Sequence, residues 1–175
     1  MVQRIYTEKL PAYALEAVGI LRELKQRLGI RGLEAVRLLH RYDVEGLTAA
    51  EFHLACEIIL SEAPVDRLQT ELPATGSNER ILAVEALPGQ FDQRADSASQ
   101  AIQLLTHGVP PKVRAARVWI FTGTLSEGDF AAARGHLINP VESREASLEL
   151  PPTLELEAPK PGDIPPVTGF TILDD

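Results

Sequence analysis

Short alternating runs of apolar and polar residues occur at the start of the chain and again near its middle. The segment QRIYTEKLP covers residues 3–11, and the segment ERILAVEALP covers residues 79–88. Each alternates with a period of two and stops at Leu-Pro, a pattern typical of a strand closed by a turn. Their similarity indicates an internal repeat.

A helical pattern follows each of these predicted strands. Apolar residues recur at spacings of three and four, which predicts one helix with one buried face in each half. Gly29 and Gly108 follow the two stripes and are suited to stop the helices. The stripes consist of Ala17, Leu21, Leu24 and Leu28 in the first half and of Ala95, Ala98, Ile102 and Leu105 in the second.

The repeat continues into a second strand and a second helix. LEAVRLLHRYDV (33–44) and KVRAARVWIFTG (112–123) both have the composition of strands. In the helical segments that come next, Thr48 and Ser126 are placed as N-caps, each with an acidic residue three positions later.

A third strand is expected at residues 65–72, and its counterpart is expected at residues 146–150.

We therefore expect an α+β fold of two tandem βαβαβ repeats, residues 1–72 and 80–150, joined by a connector at 73–79. One repeat of this length has a small core, so the copies should pack face to face or edge to edge about a pseudo-twofold axis. The helices would pack on an antiparallel or mixed sheet. Residues 151–175 begin with PPTLELEAPKPGDIPP, a composition typical of a semi-extended linker.

Composition narrows the functional classes. A formal net charge of −8 argues against nucleic-acid partners and anionic membrane surfaces. The single cysteine, Cys56, excludes an internal disulfide framework and suits a reducing compartment. The sequence has no apolar run of membrane-spanning length and no signal-peptide core at its start, so we expect a cytoplasmic protein.

Motifs for catalysis, phosphate binding or metal binding are not evident. Cys56 lies on an apolar helix face and is expected to be an inert core thiol, while Trp119 and Phe121 are expected in the core or at an interface. The histidines fall in different elements without metal-ligand spacing; they are His40, His53, His107 and His136. We expect no cofactor or metal site in this chain.

Two polar stretches distinguish the second half from the first, namely LPGQFDQRADSASQAI (87–102) and INPVESREASLEL (138–150). They could be solvated loops with incidental ion pairs. Alternatively they form a polar interface in which Arg94 and Arg144 meet carboxylates of this chain or of a partner. The candidate docking residues are Gln90, Asp92, Gln93, Arg94, Asp96, Gln100, Glu142, Arg144 and Glu145.

The strings VEALPGQFDQRADSASQAIQLL (84–105), LINPVESREASLE (137–149) and RYDVEGL (41–47) carry a resemblance to a known family. They resemble the N-terminal region of long-form phosphoribosylformylglycinamidine synthase, the glutamine- and ATP-dependent amidotransferase of purine biosynthesis. The resemblance covers residues 3 to about 173. In that family the region is an accessory domain similar to a dimer of the small subunit of the multi-subunit enzyme.

This resemblance implies a docking role between a synthetase part and a glutaminase part, where the domain would help to retain ammonia. It implies ATP and Mg²⁺ in the synthetase part, which this chain lacks. The family's glutaminase cysteine with its histidine and glutamate partners has no counterpart here. No catalytic residue is therefore assigned, and the chain by itself is expected to be inactive.

Three other functions stay open. The chain could be a stand-alone interaction subunit, dimeric or bound to a separate large subunit, if its reading frame ends at Asp175. If the docking role holds instead, the isolated chain should expose a patch that the full enzyme would cover, and its self-association would be unsurprising. It could be a regulatory module that binds a polar ligand at the helix start near Gln90 to Asp92. An independent enzyme using Asp92, Asp96 or Glu142 is disfavoured, because no acid and base are paired beside an evident substrate pocket.

Overall fold

The computed structural model describes residues 1–155, so most of the predicted Pro-rich linker lies outside the described residues. The described chain folds into strands and helices that alternate along the sequence. They are β1 (Val2–Lys9), α1 (Leu15–Arg27), β2 (Leu33–Glu45), α2 (Ala49–Ile58), β3 (Asp66–Gln69), β4 (Glu79–Ala86), α3 (Gln93–Thr106), β5 (Lys112–Gly123), α4 (Glu127–Leu137) and β6 (Ser143–Glu145).

All six strands of residues 1–155 belong to one sheet, in the order β3-β1-β2-β5-β4-β6, and every neighbouring pair is antiparallel. The α+β class is therefore confirmed, with an antiparallel sheet. The two longest strands, β2 and β5, pair at the centre from Leu33 with Gly123 to Glu45 with Lys112. The edge strands β3 and β6 have only four and three residues, and such short edges offer little template for pairing with another chain.

The helices cover one face of the sheet and bury two apolar clusters against it. One cluster joins α1 and α4 to one end of the central strands, with Leu24, Trp119 and Phe121 fully or almost fully buried. The other joins α2 and α3 to the opposite end, around Val44 and Ile102. Trp119 and Phe121 are core residues, as the strand pattern predicted.

Extended chain covers the second face of the sheet. The apolar side chains on this face of the sheet include those of Leu39, Val118 and Ile120, which are completely buried. Leu72 and Ala146 pack against this cluster, and the Ala146 N–H donates to the Ala83 carbonyl at 2.9 Å. The segment that follows β6 therefore runs back over the sheet.

Side-chain caps fix where three of the helices begin. Thr48 and Ser126 each accept a hydrogen bond from the backbone three residues later, and the acidic residue there bonds back to the cap. Both predicted capping boxes are confirmed. Asp92 caps α3 by accepting from the backbone N–H groups of Arg94 and Ala95 at 3.0 and 3.1 Å.

The expected third strand of the second half was wrong in position. It covers Ser143–Glu145 and not residues 146–150, because the turn closed by Ser143 N–H on the Asn139 carbonyl brings the chain to β4 earlier. Residues 146–150 leave the sheet edge and supply carbonyls to arginine side chains on its second face.

Smaller differences concern the ends of elements. The left-handed residue that ends α3 is His107, with φ of 54°, and not Gly108. Strand β4 begins at Glu79, the last residue of the expected connector. Within the described residues, no helix is long and apolar enough to cross a membrane.

Candidate functional site

A groove of about 850 Å³ opens on the helix-covered face, above the centre of the sheet. Its floor is made by His40 and Tyr42 of β2 and by Ala115 and Arg117 of β5. Antiparallel pairing brings them together, because His40 pairs with Arg117 and Tyr42 pairs with Ala115. All four therefore project to the same face of the sheet.

Elements from both halves of the chain form the walls. Helix α3 contributes Arg94 and the small residues Ser97, Ala98 and Ala101, which leave space above the floor. Further wall residues come from the start of α1, the ends of α2 and α4, and two loops; they include Glu16, Ile59, Leu60, Leu137, Asn139, Phe91 and Glu142.

Arg94 reaches across the groove to the first half of the chain. Its Nη1 donates to the Tyr42 hydroxyl at 3.0 Å. Within residues 1–155 no carboxylate forms a salt bridge with Arg94. Its side-chain partner among these residues is therefore a neutral hydroxyl, which carries no compensating charge.

Arg117 has an acidic neighbour, but the contact is weak. Its Nη1 lies 3.8 Å from Glu16 Oε1, and both side chains are about half exposed. Exposed pairs of this kind contribute little to stability.

His40 is paired with Arg117 across the central strands and is mostly buried. Burial lowers its pKa to about 4, and the nearby charges of Arg94 and Arg117 act in the same direction. The imidazole is therefore neutral near pH 7. Its buried Nδ1 has no hydrogen-bond partner in the described part of the chain, an uncommon state for a buried polar atom.

Two loops at the mouth of the groove expose apolar side chains. Phe91 is 75% exposed and Val141 is 71% exposed. The loops are joined by a backbone hydrogen bond from Leu87 to the Glu142 carbonyl at 2.9 Å, and Gln90 Nε2 donates to the Val141 carbonyl at 3.3 Å. We call the surface formed by Gln90, Phe91, Val141 and Glu142 the loop surface.

The structure places the predicted docking residues in several locations. Those at the groove and its mouth are Gln90, Asp92, Gln93, Arg94 and Glu142. Asp96 and Gln100 bond to each other at 2.7 Å on an exposed part of α3.

The two predicted residues on β6 alternate between the faces of the sheet. Arg144 pairs with Glu85 at 2.8 Å on the second face, whereas Glu145 pairs with Arg134 of α4 at 3.1 Å. Arg94 and Arg144 consequently lie on opposite faces of the sheet.

The second face carries a buried charge cluster that sequence reasoning did not identify. Asp43 is fully buried and accepts from Arg4 Nη2 at 2.9 Å, while Arg41 lies 3.4 Å from it. Arg41 also lies 3.6 Å from Glu85, which Arg144 contacts from the other side. Alternation in the string RYDVEGL places Arg41 and Asp43 on one face, and this was the available signal.

This cluster holds the segment that crosses the second face. Arg41 donates to the Ser147 carbonyl at 2.6 Å, and Arg4 donates to the carbonyls of Leu148 and Glu149 at 2.6 and 3.1 Å. Farther along, Glu45 accepts from the Leu154 N–H at 2.8 Å. We call residues 146–155 the strap, and its fixed position is the structural role of the cluster.

Chemistry elsewhere in the described residues is limited. Burial raises the pKa of the Cys56 thiol to about 11, so this thiol stays protonated near neutral pH, in agreement with the predicted inert role. Within residues 1–155 no group of three or more His, Cys, Asp or Glu side chains is arranged to hold a metal ion.

Comparison with known proteins does not identify the chain. No protein-family model matches it, and no curated protein matches it. The function of the chain is therefore inferred from its fold, the groove, the loop surface and the sequence resemblance.

Proposed function

We propose that the chain is a duplicated βαβαβ unit, with residues 1–72 and 80–150 related by a twofold axis between β2 and β5. The strand pairings support this duplication. Adding 77 to Val2 and Glu45, which pair, gives Glu79 and Thr122, which also pair. The same offset converts the pair Thr7 and Leu68 into Val84 and Glu145.

The central strands and the helices fit the same relationship. His40 and Arg117 pair with each other and are themselves 77 positions apart, so the proposed axis passes beside this pair. In the helices the offset is 78, which relates the N-cap Thr48 to the N-cap Ser126 and the buried Leu24 to the buried Ile102. Relative to the first half, the second half therefore gains one residue between each strand and the helix that follows it, and loses one residue between that helix and the next strand.

We further propose that this duplicated unit is an accessory docking domain of a phosphoribosylformylglycinamidine synthase. It would bridge the synthetase and glutaminase parts of that cytoplasmic amidotransferase. The loop surface is the observation that carries the proposal. Two large apolar side chains, Phe91 and Val141, stand exposed beside polar groups in loops that hydrogen bonds hold together.

Such a surface would help to exclude water from a junction through which ammonia passes. Ammonia released into water near neutral pH is protonated and ceases to be a nucleophile, so a junction between two catalytic parts has to exclude water. Apolar side chains with a polar rim are typical of surfaces that another protein covers. In this role the chain supplies shape, while ATP and Mg²⁺ belong to the synthetase part.

The first test is the nucleotide sequence beyond the codon for Asp175. A frame that continues into synthetase residues supports the accessory-domain proposal. An immediate stop codon would favour a separate subunit, and purification with the tagged chain would then look for synthetase and glutaminase partners.

In the full enzyme, we expect Phe91→Asp to lower glutamine-dependent product formation while ammonia-dependent product formation is retained. A charge at this position would open the junction to water. Leu104→Asp is the matched control, because Leu104 is 76% exposed but lies on α3 away from the loop surface. Equal coupling of glutamine hydrolysis to product formation in the wild type and in Phe91→Asp would refute the docking proposal.

Arg94 and Arg144 test the polar part of the proposed interface. If they contact the catalytic parts, replacing either with glutamine should also uncouple glutamine hydrolysis from synthesis. Because Arg144 already pairs with Glu85, its replacement should lower the stability of the domain as well. Arg94→Gln, which breaks no salt bridge within residues 1–155, is therefore the cleaner variant.

A further inference from the structure

One guanidinium of the groove, that of Arg94, has no carboxylate partner within residues 1–155, and its side-chain hydrogen bond goes to the neutral Tyr42 hydroxyl. The charges of Arg94 and Arg117 act on His40 in one direction and that of Asp66 acts in the other, while Arg117 is itself paired with Glu16. Placing a guanidinium near an imidazole favours the neutral form of the imidazole. A bound anion would supply the opposite charge that Arg94 lacks within residues 1–155.

The corresponding contact in the other half of the groove is balanced. There the acid Glu16 of α1 lies over Arg117 of β5. In this half α3 places an arginine, Arg94, over His40 of β2. The two halves therefore differ in the sign of one charge at related positions on the floor.

Other acids that line the groove are engaged elsewhere or lie at its mouth. Asp92 accepts from two N–H groups at the start of α3, and Glu85 is paired with Arg144 and Arg41. Glu142 stands in the exposed loop at the entrance. This acidic entrance disfavours long polyanions, whereas a small anion can pass it.

We propose that the groove binds a small organic oxyanion, a carboxylate or a phosphate ester, against the Arg94 guanidinium. A planar guanidinium can contact two oxygens of such a group at once. Because the Tyr42 hydroxyl accepts from Arg94, its own hydrogen is free to donate to the ligand. The His40 Nδ1 offers a further hydrogen bond to a polar group on the ligand.

The dimensions and the wall chemistry suit a molecule of this size. A volume of about 850 Å³ lies within the usual range for small-ligand pockets. Ala98, Ala101, Leu60 and Leu137 supply apolar surface around the polar floor. This site goes beyond the docking role and does not depend on it, since the loop surface lies at the mouth and the anion would lie on the floor.

The test follows the imidazole nitrogen resonances of the 175-residue chain by NMR during titration with inorganic phosphate and, separately, with malonate. We expect a saturable change at His40 with concentrations up to about 20 mM, the range of weak single-anion binding. Exposed His53 should not change, and sodium chloride at equal ionic strength should not reproduce the effect. A response to phosphate alone indicates a phosphate ester, and a response to malonate alone indicates a carboxylate.

Arg94→Gln should weaken the binding at least about tenfold, as expected for loss of a charged hydrogen-bond donor. Arg22→Gln removes the same charge from an exposed position on α1 outside the groove, so it should bind as the wild type does. Tyr42→Phe, which keeps the Arg94 charge, should produce a smaller loss of affinity. The absence of a saturable His40 response to either anion, or equal affinity in wild type and Arg94→Gln, would overturn the proposal.

Discussion

At the scale of single residues, Gly123 shows how local backbone geometry joins distant parts of the chain. Its φ is +141°, a conformation that side-chain-bearing residues rarely adopt. A Cβ at this position would also collide with the Gly32 carbonyl. The loop after β5 therefore depends on glycine for both conformation and space.

We expect Gly123→Ala to lower the free energy of unfolding by about 2 kcal/mol or more, from backbone strain and the collision. Urea denaturation followed by circular dichroism would measure this loss. Gly135→Ala in α4 is the control, because no atom lies within 4 Å of the added methyl group. That substitution should stabilise the protein by about 0.5–1 kcal/mol, and equal effects of both substitutions would contradict this account.

His40 makes stability depend on pH in a defined direction. Its pKa is about 4 in the folded chain and 6.5 in the reference state, so the unfolded chain binds the proton more readily. The contribution of His40 to stability should be constant above pH 6.5 and should be lost as the pH drops from 6.5 towards 4. The loss from this residue is at most about 3 kcal/mol.

Denaturation of the wild type and of His40→Gln between pH 7 and 4 would isolate this contribution. The variant should lose stability less steeply over that range. NMR titration of the imidazole gives the pKa directly, and a value near 6.5 would show that burial does not act on the ring as described.

At the scale of elements, the capping boxes explain where α2 and α4 begin. The Thr48 hydroxyl satisfies the Glu51 N–H, while the Glu51 carboxylate bonds back to the N–H and hydroxyl of Thr48. These bonds lower the pKa of Glu51. Both partners of each box are visible in the sequence, three positions apart.

We expect Thr48→Ala to cost about 1 kcal/mol of stability through loss of the cap. Thermal unfolding would measure it, and hydrogen exchange should show faster opening of the first turn of α2. Ser97→Ala, at an exposed position inside α3, should change stability by less than about 0.5 kcal/mol. Equal losses in the two variants would mean that the cap is not the cause.

The elements could be predicted from sequence where the signal was local. Alternation predicted β1 and β4, apolar spacing predicted α1 and α3, and acidic partners predicted the starts of α2 and α4. Strand β6 was misplaced, because its three residues are selected by pairing with β4 and by the turn at Asn139. An apolar pattern at 146–150 resembles a strand, but those residues pack on the face of the sheet.

The candidate site was predictable only in part for the same reason. The polar residues at the start of α3 stand out in the sequence. The floor does not, since it requires the pairing of His40 with Arg117 across the centre of the sheet. This register is set by the antiparallel pairing of β2 with β5, and the sequence of neither strand alone specifies that pairing.

At the scale of the whole molecule, the strap completes the second layer of the fold. The carbonyls of Ser147, Leu148 and Glu149 in the strap accept hydrogen bonds from two largely buried arginines instead of from water. Those arginines are held by Asp43, which has no exposed surface. Through these arginines, Asp43 therefore connects the central strand β2 to residues 147–149 of the strap.

We expect Asp43→Asn to destabilise the protein by about 3–5 kcal/mol, because Arg4 and Arg41 would keep buried charges without their main partner. Hydrogen exchange should show that the strap becomes more exposed than the helices do. Glu23→Gln, which removes the surface contacts of Glu23 with Arg27 and His136, is the control and should cost less than about 1 kcal/mol. A loss of that small size in Asp43→Asn would show that the cluster does not hold the strap.

The central pairing of β2 with β5 also determines how long one edge of β2 stays unpaired while the chain is synthesised on the ribosome. Strand β2 ends at Glu45, but the strand that completes its inner edge ends only at Gly123. At about 5–20 residues per second, the nascent chain waits roughly 4 to 16 seconds between the two. During that interval the longest strand of the molecule has one free edge, which neighbouring nascent chains on the same messenger RNA could occupy. The order of translation makes β2 the segment for which a ribosome-associated chaperone would be of most use.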